Sequence, residues 1–188
     1  MTLPSLTSLS AVLLASEVAL AAWKRAGAST SRNRDRRSLG LLWLVIGLSL
    51  WAGFILRARV PAGRMPFPLP CYLVGLTCFL VGLLIRWTAI IQLGRFFTVN
   101  VAIADDHRLI TTGLYRYVRH PSYTGSLLIF FGLGLCLLNY CALAAVFLPI
   151  CAAFLWRIRV EEQALRAAFG VRYDDYARGT GSLLPRRI

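Results

Sequence analysis

A chain of 188 residues that is 57% hydrophobic and 15% charged, with a mean hydropathy of +0.63, is too apolar for a soluble domain, where about a quarter of residues are charged. Its net charge of +13 rests on 20 arginines and the single Lys24, which cluster between apolar runs instead of lining one soluble face, and this argues against a nucleic-acid binder. Five cysteines without a C-x-x-C pair, and only two histidines, argue against a zinc site and against a disulfide framework, so the cysteines read as small buried hydrophobes.

Five apolar runs, 3–23, 39–56, 69–93, 121–138 and 140–157, are long enough, or nearly so, to cross a hydrocarbon core about 30 Å thick. They predict an all-α integral membrane protein of five transmembrane helices in a single membrane domain, with no internal repeat. The first run has no basic n-region and no small-residue cleavage site before its flanking charges, so it is expected to stay as a span. Glu17 lies in it and Arg86 in the third run, each one to two turns from the same membrane face. Equal depth and opposite sign suggest a pair. The alternative is two independent groups reaching for the interface beside the belt residues Trp23 and Trp87.

The connection Lys24–Ser38 carries six basic residues, the next connection three, and the turn Leu138-Asn139-Tyr140 none. The basic excess places the first connection in the cytoplasm and the N-terminus outside. Segments 94–120 and 158–188 are then cytosolic. Glycines such as Gly75, Gly82, Gly125, Gly132 and Gly134 read as positions where membrane helices approach closely. Arginine-rich, lysine-poor usage hints at a GC-rich bacterial genome and so at an inner membrane.

Polar chemistry concentrates in "GLYRYVRHPSYTG", residues 113–125. Pro121 ahead of an apolar run is a helix start, which puts His120 at the terminus and Ser122 and Tyr123 in the first turn, where free N–H groups suit a carboxylate or phosphate. Residues 106–115 could form a re-entrant loop. The competing reading is a solvated loop with interfacial aromatics and arginines.

The second cluster is Arg157 with Glu161, four apart and on one helix face, whereas Arg159 and Glu162 point elsewhere. Because the fourth and fifth spans form a tight C-terminal hairpin, His120–Tyr123 and Arg157–Glu161 are expected to meet at one membrane depth as one pocket. Beyond them, Gly170 reads as a C-cap, a short element carries Tyr173 and Tyr176, and Gly179, Gly181 and Pro185 end regular structure.

In these stretches the sequence resembles the isoprenylcysteine carboxyl methyltransferase family, membrane-embedded enzymes that use S-adenosylmethionine without the soluble Rossmann methyltransferase fold. The matching elements are "HRLITTGLYRYVRHPSYTG" (107–125) and "RIRVEEQALRAAFGVRYDDY" (157–176), with a Leu-Pro near the C-terminus. The first two spans match only in being apolar, and five spans resemble the prokaryotic branch. The resemblance implies a cytosolic cofactor pocket. In it His107, Arg108, Leu109 and Ile110 lie along S-adenosylmethionine, Tyr115 adds a contact, His120, Pro121, Ser122 and Tyr123 contribute from the helix start, and Glu161 holds the cofactor. Asn100 stands where eukaryotic members have a glutamine. Arg157 matches the arginine assigned to the substrate and to catalysis. No metal is implied.

Methyl transfer from a sulfonium is an in-line displacement that needs positioning and exclusion of water. A carboxylate nucleophile is already ionised, and its charge disappears with that of the sulfonium, so a low-dielectric site favours reaction. The expected partner is a lipophilic acceptor entering sideways among membrane lipids: a prenylated-cysteine carboxylate, an isoprenoid acid, a phospholipid amine or a small thiol. Two other readings stay open at this point: an NADPH-dependent membrane reductase related to steroid reductases, and a non-catalytic membrane protein whose polar cluster is an anchor.

Overall fold

The computed structural model describes residues 3–26, 36–94 and 109–186. Among the described residues six α-helices follow in chain order: α1 Leu6–Ala26, α2 Arg36–Arg59, α3 Pro68–Leu93, α4 Pro121–Cys136, α5 Tyr140–Phe169 and α6 Val171–Gly179. Among the described residues there is no strand, only isolated bridges between Arg64 and Asn139 and between Val118 and Gly181. Three stretches, Leu39–Arg59, Pro68–Leu93 and Tyr140–Phe169, are long and apolar enough to cross a membrane. The apolar helices Leu6–Leu20 and Pro121–Cys136 are shorter. Sixteen residues of α4 rise about 24 Å at ~1.5 Å each; the run reaches residue 138 in sequence, but Leu138 adopts φ 55° and closes the hairpin turn.

The punctuation of the chain explains the ends. Proline occupies the first turn of α3 and of α4, where its missing N–H leaves no helical bond unmade. Asn139 caps α5 by accepting from Ala142 N at 3.0 Å, and its Nδ2 donates to Val60 O at 2.8 Å. That second bond ties the α4–α5 turn to the α2–α3 connection at one end of the bundle. The other end gathers the start of α4 and the far end of α5. Gly170, at φ 53°, ends α5.

Helix α4 is central and shared by two apolar clusters. Phe130 packs with Leu42, Ile46, Val146, Ile150 and Phe154 of α2 and α5. Ile129 and Leu133 pack with Leu9 of α1 and with Tyr72 and Phe79 of α3. The α3–α4 contact is the closest in the molecule because glycines face each other across it. A Cβ on Gly75 would stand 2.7 Å from Gly132 O, and one on Gly82 would stand 2.7 Å from Gly125 O. Both pairs are seven residues apart along their helices, so the two backbones touch over two turns, as expected for small residues at a membrane helix interface.

Helix α1 is held differently. Among the described residues its backbone approaches α4 at a few positions. Besides Leu9 in the cluster with Tyr72 and Phe79, polar bonds fasten it to α3: Arg86 Nη2 to Glu17 Oε1 at 2.9 Å, Trp87 Nε1 to Ser16 Oγ at 2.7 Å, and the Tyr72 hydroxyl to Pro4 O. The Glu17–Arg86 pair expected from equal depth is therefore formed. Trp87 is an α1 contact as well, and the side chain of Trp23 lies outside the described residues.

Candidate functional site

The start of α4 and the projecting end of α5 meet, as the hairpin argument requires. Helix α5 has 30 residues, about 45 Å at ~1.5 Å each, so its last turns extend past a hydrocarbon core of about 30 Å. On this end, Tyr123 is the hinge of the site. Its hydroxyl donates to Glu161 Oε2 at 2.7 Å and accepts from Arg157 Nε at 3.2 Å. Its ring stacks on His120, with centroids 5.6 Å apart and planes 5° from parallel, and tilts against Phe154. Arg157 is buried, at 2% exposure, which favours a guanidinium engaged by hydrogen bonds over one extended into water.

Glu162 departs from the helix-face reading, which pointed it and Arg159 elsewhere. It is buried and joins three partners: Arg119 Nε at 3.0 Å, His120 Nε2 at 3.3 Å and Arg166 Nη2 at 3.3 Å. The reason is tertiary. Arg119 sits just ahead of α4 and also donates to Ala177 O at 2.9 Å and to Thr180 O, so the face of α5 that looks solvent-exposed in a helical projection is covered by the start of α4 and by the tail. Residues 181–183 form a strap over that start: Arg119 N donates to Gly181 O at 2.8 Å, His120 N to Ser182 O at 3.1 Å and Thr124 Oγ1 to Leu183 O at 2.7 Å. Arg119, Glu162 and the strap are parts of the site that sequence reasoning missed. The available signal was the favourable Glu162–Arg166 order at i,i+4.

Of the residues assigned to the cofactor, Asn100, His107 and Arg108 lie outside the described residues. Leu109 and Ile110 are half-buried in an irregular stretch leading to a 3-10 turn at Gly113–Arg116; the re-entrant loop expected over 106–115 is described only from 109 onward. Gly113 has φ +61°, and a Cβ there would stand 2.5 Å from Gln92 Oε1, the atom that accepts Leu114 N at 2.9 Å. Only glycine fits that position. The turn delivers Tyr115 into the protein, with its hydroxyl donating to Ala89 O at 3.3 Å and its carbonyl accepting from Tyr176 at 2.6 Å. Burial, then the negative charge of Glu161, pushes the Tyr115 hydroxyl up. Burial likewise pushes Tyr176 up to about 12. Pro121 is buried. Ser122 is buried too, but its hydroxyl accepts from Arg86 Nη1 at 3.4 Å and so faces α3.

One polar atom here lacks a partner. The Tyr173 hydroxyl of α6 is buried with no hydrogen bond among the described residues, and burial followed by the charge of Glu162 pushes it up. An unpaired buried hydroxyl costs about 1–3 kcal/mol, so it marks a place where a polar ligand atom would be welcome. A carboxylate (Glu161), buried tyrosine hydroxyls and an imidazole form a donor and acceptor set that suits a nucleoside bearing an amino acid. No group of three or more histidine, cysteine or acidic residues that could hold a metal occurs among the described residues.

Tyr123 also lines a cleft of about 250 Å³ bounded by residues of α1, α2, α3, α4 and α5. Its lining is mostly apolar, with Leu13, Trp43, Ile46, Phe130 and Leu133 among it, and includes the polar side chains of Glu17, Arg86, Ser126, Tyr123 and Arg157. Tyr123 and Arg157 therefore belong to both the apolar cleft and the polar cluster.

Comparison with known proteins finds relatives of this chain. The family model for the isoprenylcysteine carboxyl methyltransferase (ICMT) family matches residues 73–167, just over half of the chain. A probable protein-S-isoprenylcysteine O-methyltransferase of Oryza sativa subsp. indica is 40% identical over 114 residues, 60% of each chain. The protein-S-isoprenylcysteine O-methyltransferase of Schizosaccharomyces pombe is 34% identical over 151 residues, 78% of this chain and 64% of that one. The chain thus spans less than two thirds of the length of either relative. Among solved structures, the eukaryotic intramembrane Ras methyltransferase ICMT superposes with a TM-score of 0.64 at 32% identity, covering 76% of this chain and 52% of that one.

Proposed function

Because the chain belongs to the isoprenylcysteine carboxyl methyltransferase family, we propose that it is a membrane-embedded methyltransferase that moves the methyl group of S-adenosylmethionine onto the carboxylate of a lipophilic acceptor. One observation carries the reading: a single hydroxyl, that of Tyr123, links Glu161 of the polar cluster to Arg157 of the apolar cleft. A methyl donor and a lipid-like acceptor each have a side of that link.

S-adenosylmethionine, when bound, supplies an electrophilic methyl group on a sulfonium centre. Glu161, Tyr115, His120 and Tyr123 hold it, with Pro121 and Ser122 shaping the helix start, and Asn100, His107, Arg108, Leu109 and Ile110 completing the pocket from the preceding segment. Tyr173 offers a further hydroxyl. Arg157 orients the acceptor carboxylate by charge-assisted hydrogen bonds. The apolar cleft excludes water, which favours a step in which opposite charges are lost. A carboxylate acceptor needs no general base, and no residue is assigned that part. His120, near Glu162 Oε1, serves to position.

The acceptor enters from the lipid between α1 and α2, two of the helices that line the cleft. Five spans with an external N-terminus and a cytosolic site, in a bacterial inner membrane, complete the proposal. It is supported by the gathering of α4's start and α5's end at one face and by the arginines near them.

The test is thermal stability in detergent with and without S-adenosylhomocysteine, for the parent and for Glu161→Ala. Ligand at about 100 times Kd adds roughly 2.7 kcal/mol. A shift in the parent that is lost in the variant, followed by methyl transfer to farnesoic acid or a prenylcysteine, is the expected result. A shift with NADPH and none with S-adenosylhomocysteine would turn the assignment to a reductase.

A further inference from the structure

The cleft has a length that three helices set independently. Its lining runs from Ser10 to Leu20 on α1, from Leu39 to Leu50 on α2 and from Ser122 to Leu133 on α4, about 15–17 Å in each case at ~1.5 Å per residue. The polar groups gather at the end where α4 starts. Ser122, Tyr123 and Ser126 lie in its first two turns. Arg86 reaches Ser126 Oγ at 2.6 Å and Glu17 Oε1 at 2.9 Å, and Arg157 reaches the Tyr123 hydroxyl at 3.2 Å. Elsewhere in the lining the only polar side chain among the described residues is that of Ser10. The far end is closed. The stripe of Leu42, Ile46 and Leu50 on α2 continues at helical spacing to Gly53, where a Cβ would stand 2.5 Å from Val146 Cγ2 and 3.2 Å from Leu137 Cδ1. On α4 the stripe of Ile129 and Leu133 leads to the same Leu137. Leu133 and Leu137 are each 1% exposed, and Leu50 and Leu133 pack with Leu9 of α1 in one apolar cluster. The helices that stand apart along the cleft therefore converge within a turn of Leu50 and Leu133, and these two side chains form its floor.

We propose that this floor makes the cleft a gauge of tail length, which accepts lipophilic carboxylates with tails of up to three isoprene units and discriminates against a fourth. This rests on the reading of the cleft as the acceptor site, with the carboxylate at the polar end. An extended chain advances ~3.5 Å for every three bonds, so a cleft about 16 Å deep takes about 13 or 14 bonds in line. Counted from the carboxyl carbon, three isoprene units run about 11 bonds and fit, whereas four run about 15 bonds, ~18 Å. The last unit of the longer tail must then push Leu50 aside or turn out between α1 and α2. Forcing a packed leucine strains the floor, and turning out leaves that unit's apolar surface outside the cleft, where it adds nothing to binding. Hydrophobicity alone favours the longer tail, so only a floor reverses the order.

The experiment measures methyl transfer from S-adenosylmethionine by the full chain in detergent. The acceptors are geranic, farnesoic and geranylgeranoic acids, which carry two, three and four units on the same head group, and the melting shift with S-adenosylhomocysteine is recorded for every preparation. In the parent, kcat/KM is expected to rise from geranic to farnesoic acid and to fall at least about fivefold from farnesoic to geranylgeranoic acid. Leu50→Ala lowers the floor and should bring the four-unit acid to within about twofold of the three-unit acid. Ile46→Phe, one turn nearer the polar end on the same stripe, raises the floor and should move the preference to geranic acid. Partitioning into micelles is the same for parent and variants, and a loosened fold would not shift the two preferences in opposite directions. Equal kcat/KM for farnesoic and geranylgeranoic acids in the parent overturns the gauge and leaves the acceptor site standing, and so does a parent-like order in both variants. No transfer to any of the three acids, with the S-adenosylhomocysteine shift retained, overturns the gauge together with the acceptor reading of the cleft, and leaves the methyl-donor assignment in place.

Discussion

The two walls of the bundle are built on opposite terms. Between α3 and α4, glycine faces glycine and backbone meets backbone, leaving no slack for a side chain or for sliding. Between α1 and α3, the attachment combines Leu9 in the apolar cluster of Tyr72 and Phe79 with a handful of polar side-chain contacts, and an apolar cleft lies beside them. The lesson is a division of labour: α3 and α4 form a tight frame that fixes Arg86 and Tyr123 relative to each other, and α1 adds to a few apolar side chains a set of polar bonds that water or a ligand can exchange.

Three substitutions would break or sharpen that contrast. Gly125→Val puts a branched side chain where a Cβ already stands 2.6 Å from Gly82 O and from Arg86 N. With only backbone to yield, the expected loss is about 3 kcal/mol or more, read as a large drop in detergent melting temperature or as failure to fold; a variant that melts like the parent would mean that the two helices separate easily. Glu162→Gln removes the charge that joins Arg119, His120 and Arg166 and should cost about 2 kcal/mol, together with weaker S-adenosylhomocysteine binding because His120 loses its anchor. On the α1 side, Glu17→Gln should cost only about 1 kcal/mol, with part of it recovered when Arg86→Gln is added. Simple additivity would remove the pair from the account of how α1 is held.

A fourth substitution separates chemistry from support. Tyr123→Phe keeps the ring against His120 and Phe154 but deletes the hydroxyl between Glu161 and Arg157. Methyl transfer, measured as kcat/KM, is expected to fall roughly tenfold to a hundredfold while the melt moves little, the loss typical of hydrogen bonds to charged groups, about 1.5–3 kcal/mol. A large change in stability with unchanged activity would reverse that assignment.

What could be read from the sequence followed from local chemistry. Pro121, Asn139 and Gly170 mark helix ends because each solves a backbone problem that any helix has there. The spacing of Gly75 with Gly82 and of Gly125 with Gly132 announces close approach, and Glu17 and Arg86 announce each other by depth and sign. Hidden were the features that depend on which segment covers which face. Glu162 looks solvent-facing on an isolated helix, and only the folding of Arg119 and residues 180–183 over it makes it a hub. The strap itself uses backbone carbonyls of Gly181 and Ser182, and every residue type has a carbonyl, so composition carries no trace of it. Leu138 ends the fourth helix early through a left-handed backbone angle that an apolar side chain does not advertise.

On the proposed assignment of a methyl donor and an acceptor, the Tyr123 hydroxyl also makes their two sites interdependent. It gives its one proton to Glu161 and lends its oxygen to Arg157, so a ligand that engages Glu161 alters the hydroxyl's polarity and with it the grip that Arg157 can offer. Linkage requires this influence to be mutual: whatever factor the methyl donor contributes to acceptor affinity, the acceptor returns to the donor. Titrating either ligand at fixed levels of the other would therefore show cooperativity between two different molecules, transmitted through one oxygen atom.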